Sequence, residues 1–145
     1  MELRVGIDTL SLSKSGNITG NIFLVDGSRF FPANEWSDFP VVIVAWWLEA
    51  LKGLSRGEAI AECRFMDGPY AFRASSLSPE EWLIECCGGE KHSPPLYSAH
   101  VPSSEFLTSV RSAAITLLDA CNGRGWCTKD TLRLHQLCPL LAVGA

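Results

Sequence analysis

Six cysteines and three histidines are the residues of this 145-residue chain whose types could carry covalent or metal chemistry. Cys63, Cys86 and Cys87 precede His92 and His100 in the middle of the sequence. A thiol beside an imidazole, with Asp67 or Glu85 orienting the ring, is the arrangement that activates a sulfur nucleophile. Such a triad depends on convergence in space, and none of these cysteines stands in a nucleophile motif, so the expected role is that of small apolar core residues. Zinc fares no better. Cys63, Cys86, Cys87, Cys121, Cys127 and Cys138 include no C-x-x-C pair, and His92 and His100 lack a third ligand at a suitable spacing. Adjacent Cys86 and Cys87, if on a strand, point to opposite faces. The N-terminal run MELRVGID has an acidic second residue and no apolar segment of signal length. Reduced thiols in a cytoplasmic protein are therefore expected, with no metal and no cofactor.

The carboxylates suggest little catalysis. Glu80-Glu81, and Glu35 with Asp38, are close in sequence, whereas acid–base work needs two carboxyl groups held in different environments. Gly88-Gly89-Glu90-Lys91 matches neither glycine-rich phosphate loop. Two aromatic residues stand apart from these. Trp36 precedes the longest apolar run, and Tyr70 follows the turn Asp67-Gly68-Pro69, so both belong at the rim of a sheet, where aromatics anchor interfaces. The other role open to Trp36 is a hydrophobic staple on the first turns of the helix that follows. Glu35, Trp36, Asp38, Asp67 and Tyr70 form the candidate interface.

The element that must position them runs from Phe30 to Leu54. Phe39, Ile43, Trp46, Trp47, Ala50, Leu51 and Leu54 recur at helical spacing, which predicts a helix with Trp46 and Trp47 both buried. Ser37 or Asp38 is the expected cap, and Pro40 is suited to the first turn. The β-branched run Val41 to Val44 would serve a buried strand equally well; length and the helix formers of WWLEALKGL favour the helix. Ahead of it, Leu3 to Leu12 alternates as a half-exposed strand with Leu3, Val5 and Ile7 on one side, and Ile18 to Val25 forms a second strand ending at the hairpin signal Asp26-Gly27. Beyond it, Glu58 to Met66, Tyr70 to Arg73, Glu81 to Cys87 and Leu96 to Val101 read as an antiparallel meander turned at Asp67-Gly68. Phe106 to Cys121 has the helical period, with Ser103 or Ser104 as cap and Gly123 as stop. Thr128 caps a last helix that Pro139 should end or kink.

The strand order fits an α+β fold: one curved antiparallel sheet of about five to six strands, packed by the central helix and two C-terminal helices in a single domain, residues 1–145. The formal charge of −4 and pI near 5.3 argue against general nucleic-acid binding and suit a basic partner. The apolar run Phe39 to Leu48 is too short to span a bilayer, so no membrane association is expected.

The runs FPANEWSDFPVVIVAWWLEAL, FMDGPYAFR and DACNGRGW resemble small stand-alone bacterial α+β proteins of unassigned activity. In size, acidity and mixed α+β character the chain also resembles immunity proteins of bacterial polymorphic toxin systems. That resemblance carries over no site residue; with the absence of catalytic motifs and the negative charge, it points to a non-enzymatic cytoplasmic protein that binds another protein, such as a basic toxin domain. The reading from another class is a small cysteine-dependent enzyme or thiol-redox protein.

Overall fold

A computed structural model describes residues 1–89 and 94–143, with the side chains of 139–143 excepted. Among the described residues the elements are β1 (Glu2–Leu12), β2 (Ile18–Asp26), β3 (Arg29–Phe31), β4 (Ser37–Asp38), α1 (Pro40–Ser55), β5 (Ile60–Arg64), β6 (Ala71–Ser78), β7 (Glu81–Cys87), β8 (Tyr97–Pro102), α2 (Ser103–Gly123) and α3 (Lys129–Val143). The α+β class is as expected, but the strands form two four-stranded antiparallel sheets in place of a single sheet. One has the order β1-β2-β3 with β4 also paired to β2, and the other is the meander β5-β6-β7-β8. Both hairpin signals act where the sequence places them. Gly27 (φ 60°) turns β2 into β3, and Gly68 (φ 76°) turns β5 towards β6, where the Phe65 N–H reaches the Tyr70 carbonyl at 3.1 Å.

The first strand keeps its predicted alternation only at its start. Pairing with β2 shifts between Gly6 and Ser11, and Thr9 fills the irregularity: its hydroxyl donates to the Gly6 carbonyl at 2.6 Å and accepts the Asn21 N–H at 2.8 Å. The shift turns Leu10 into the core and leaves Ile7 exposed, against the expected face. Helix α2 covers the open edge of this strand. Ser109 Oγ accepts the Leu3 N–H at 2.7 Å, and Arg124 donates to the carbonyls of Ile7 (2.8 Å) and Leu10 (3.2 Å) while its guanidinium lies 5.0 Å from the Trp126 ring centre. Those polar groups are thereby withdrawn from pairing with another strand.

Helix α1 is the buried helix predicted, but its wet face differs. Ile43, Val44, Trp47, Leu48, Leu51 and Leu54 are all buried, whereas Trp46 is 47% exposed. The apolar first turns explain the difference. Val41 and Val44 are both covered because α1 packs on β2, β5 and the other two helices, and that places the buried stripe between Val44 and Trp47 and turns Trp46 outward beside α3. Trp47 satisfies its buried indole N–H on the Arg64 carbonyl at 2.8 Å.

Two expected caps also find other work. Phe39, not Ser37 or Asp38, occupies the N-cap of α1, and no side chain caps the helix. Ser103 lies inside α2 and donates its hydroxyl to the Pro79 carbonyl at 2.9 Å. Gly123 is the last residue of that helix, and the left-handed residue beyond it is Gly125 (φ 71°). At α3 the cap is as predicted: Thr131 N–H donates to Thr128 Oγ1 at 3.2 Å, and Thr128 N–H to Thr131 Oγ1 at 2.9 Å. The helix backbone continues past Pro139 to Val143.

One contiguous core joins both sheets and all three helices. A chain of edge-on aromatic contacts crosses it from Phe31 through Phe65, Trp47, Phe72 and Phe106 to Trp82, with centroid separations from 5.0 to 6.3 Å. Each such contact adds about 0.5 to 1.5 kcal/mol beyond the area it buries. Among the described residues no helix is long and apolar enough to cross a membrane.

Candidate functional site

Strand β4 is only two residues long, yet it fixes the corner where the two sheets meet. Gly20 pairs with Asp38 and Asn21 with Ser37, and the Ile22 N–H donates to the Trp36 carbonyl at 2.8 Å. With its backbone held on β2 and Pro40 opening α1 immediately afterwards, Asp38 turns its side chain inward, where it is 2% exposed. A buried carboxylate needs donors. Asp38 has four: Oδ1 accepts the N–H groups of Phe39 (2.8 Å) and Met66 (3.2 Å), and Oδ2 accepts the indole N–H of Trp36 (3.0 Å) and the N–H of Asp67 (3.1 Å). One carboxylate thus ties the tip of the β5–β6 turn, nearly thirty residues away, to the first sheet.

The same hydrogen bond orients Trp36. Its ring stands edge-on to Tyr70 at 5.3 Å, and Tyr70 in turn stands edge-on to Phe31 at 5.8 Å, so the aromatic chain of the core extends to the surface here. Gly68 lies against both rings. A Cβ added there would meet Tyr70 at 3.4 Å and Trp36 at 3.5 Å, on a backbone whose positive φ already favours glycine.

Four of the five candidate residues, Trp36, Asp38, Asp67 and Tyr70, are therefore brought together, and Glu35 adjoins them. Trp36 and Tyr70 are half-buried, and Asp67 and Glu35 are exposed. Asp38 does not offer the exposed carboxylate expected for an interface. It is buried because the backbone donors of a distant turn converge on it, a relation local sequence does not reveal. Glu35 is the one non-glycine residue with positive φ (56°) among those described, a conformation disfavoured for a residue with a Cβ. Met66, 40% exposed on the same turn, adds apolar surface that the sequence reading missed. The available signal was its position just past Phe65, where the buried alternation of β5 stops.

The cysteine site does not assemble among the described residues. His100 Nδ1 lies 2.9 Å from Glu81 Oε1, and His100 pairs with Leu83, four residues along β7 from Cys87 and so about 13 Å away. His92 lies outside the described residues. Burial raises the Cys63 thiol pKa well above its usual value, with the charge of Glu62 adding to it. Burial, then Cys87 and Asp26, push Cys86 up to about 12. Cys121 and Cys138 are also raised, mainly by burial. These thiols stay protonated near neutral pH. Cys86 is buried and Cys87 half-buried on the opposite face, where Cys87 Sγ accepts a hydrogen bond from Arg73 Nη2 at 3.4 Å. The described residues include no cluster of three or more His, Cys, Asp or Glu side chains arranged to hold a metal ion. Comparison with protein-family models, curated proteins and solved structures finds no match to this chain.

Proposed function

We propose that this is a non-enzymatic protein-binding domain whose contact surface is the corner formed by Glu35, Trp36, Met66, Asp67 and Tyr70. The observation that carries the reading is the four-donor Asp38 carboxylate, which holds two half-buried aromatic rings and an acidic turn in one fixed arrangement. Rings already ordered in the free protein lose little entropy when a partner covers them, which is what an anchor at an interface requires. Exposed Glu35 and Asp67 beside them, on a chain of net charge −4, suit a partner with a basic surface. A toxin domain neutralised in the cytoplasm is a partner of that chemistry, in keeping with the resemblance to immunity proteins.

The test is co-expression with a basic toxin domain encoded beside the gene, followed by binding kinetics. Asp67→Lys should slow association, and Trp36→Ala or Tyr70→Ala should speed dissociation by about tenfold or more, equivalent to roughly 1.4 kcal/mol. A complex whose rates are unchanged in all three variants would place the interface elsewhere, and absence of a complex would remove the toxin reading.

A further inference from the structure

The two sheets share no backbone pairing along β3 and β8, and a cleft of about 280 Å³ opens between them. We propose that this cleft binds a small monocarboxylate with an apolar tail, the carboxylate on Arg29 and the tail between Phe30, Phe31 and Leu96. The volume is nearly twice that of a roughly 150 Å³ protein cavity able to hold benzene, which suits a tail of about eight carbons or one ring with a short chain. The walls are mainly apolar, from Leu24, Phe30, Phe31, Pro32 and Leu96. Two of these large side chains stand open to water: Phe30 is 39% exposed and Leu96 65%. An occupant would cover both.

Charge selects the head group. Asp26 and Arg29 are the charged side chains that line the cleft, and Asp26 faces the Met1 amino group at 3.8 Å. Arg29 forms no ion pair with the described residues. Its guanidinium carbon lies 4.5 Å from the centre of the Tyr97 ring, so the aromatic face holds the planar group and leaves its N–H edge for a carboxylate, which it matches with two parallel hydrogen bonds. Deeper in the cleft Cys86 is a neutral thiol near physiological pH, so no negative charge from that residue opposes an anion there.

Calorimetric titration of the full chain with octanoate, 1-octanol and octylamine tests the assignment, with Arg29→Met, Arg29→Lys and Leu96→Ala as variants and thermal melts as the check on folding. Octanoate should saturate a single site. Arg29→Met should weaken octanoate by about tenfold or more while changing 1-octanol by less than about twofold, and Arg29→Lys should fall between Met and the parent. Leu96→Ala should weaken both ligands. No saturation by octanoate below about 10 mM, equal octanoate affinity in Arg29→Met, or tighter binding of octylamine than of octanoate would each overturn the proposal.

Discussion

The indole N–H of Trp36 and the backbone N–H of Asp67 converge on one oxygen, Oδ2 of Asp38, at 3.0 and 3.1 Å. An aromatic side chain just ahead of β4 and the tip of the turn that joins two strands of the other sheet are thus held by a single acceptor. Asp38→Ala would leave that indole and three backbone donors without their acceptor, so it should destabilise the protein by about 3 kcal/mol or more in urea unfolding. Asp38→Asn, which keeps one oxygen, should cost roughly half as much. A loss below about 1 kcal/mol for the alanine variant would mean that water replaces the carboxylate.

The two adjacent tryptophans of α1 should behave oppositely. Trp47 is fully buried between Phe65 and Phe72 and donates to Arg64, so Trp47→Ala should cost about 3 to 5 kcal/mol. Trp46→Ala removes a ring that is nearly half exposed and should cost about 1 kcal/mol or less. Urea titrations of the two variants make the comparison, and equal losses would contradict the orientation of the helix.

Glu35 offers a different signature. Replacing it by glycine relieves a left-handed backbone strain of roughly 1 to 2 kcal/mol and gives back part of that through the freer unfolded chain. A net gain of about 0.5 to 1 kcal/mol is expected in unfolding. If Glu35 serves the interface, the same substitution should slow association with a basic partner. A variant that is both less stable and unaffected in binding would show that Glu35 is neither strained nor part of the interface.

The thiols predict a pH dependence. Cys86 has a folded-state value of about 12 against an ordinary value of 9.0, so the folded state retains its proton where the unfolded state loses it. This contribution to stability is complete below pH 9, declines as pH rises above it and is lost by about pH 12. Cys86→Ala should flatten the decline in unfolding free energy across that window, and an unchanged slope would show that the thiol is not shielded. With a thiol reagent near neutral pH, exposed Cys127 should react first, while buried Cys63, Cys86 and Cys121 should wait for unfolding.

Much of the fold was legible because its signals are local. Asp26-Gly27 and Asp67-Gly68 mark turns by their own backbone chemistry, and the period from Phe106 to Cys121 names the buried face of α2 without reference to other elements. The division into two sheets was not legible, since whether β3 and β8 pair is decided by tertiary packing that neither strand's own pattern states. The outward turn of Trp46 is not legible, because a helix that is apolar all round in its first turns does not say which side its neighbours will cover. At the candidate site, the grouping of Trp36 with Tyr70 followed from their positions beside a helix start and a turn. The burial of Asp38 did not, because its partners Met66 and Asp67 lie 28 and 29 residues away.

The role proposed for the Trp36–Tyr70 corner is contact with a basic protein. Site-specific photocrosslinking is the decisive measurement, with p-benzoylphenylalanine placed in turn at Glu35, at Asp67 and, as a control on exposed helix surface, at Ile115. One adduct with the same basic protein is expected from positions 35 and 67 and none from 115, with the adduct lost when Trp36→Ala is added. Equal adducts from all three positions, none from 35 and 67, or an adduct indifferent to Trp36→Ala would contradict it.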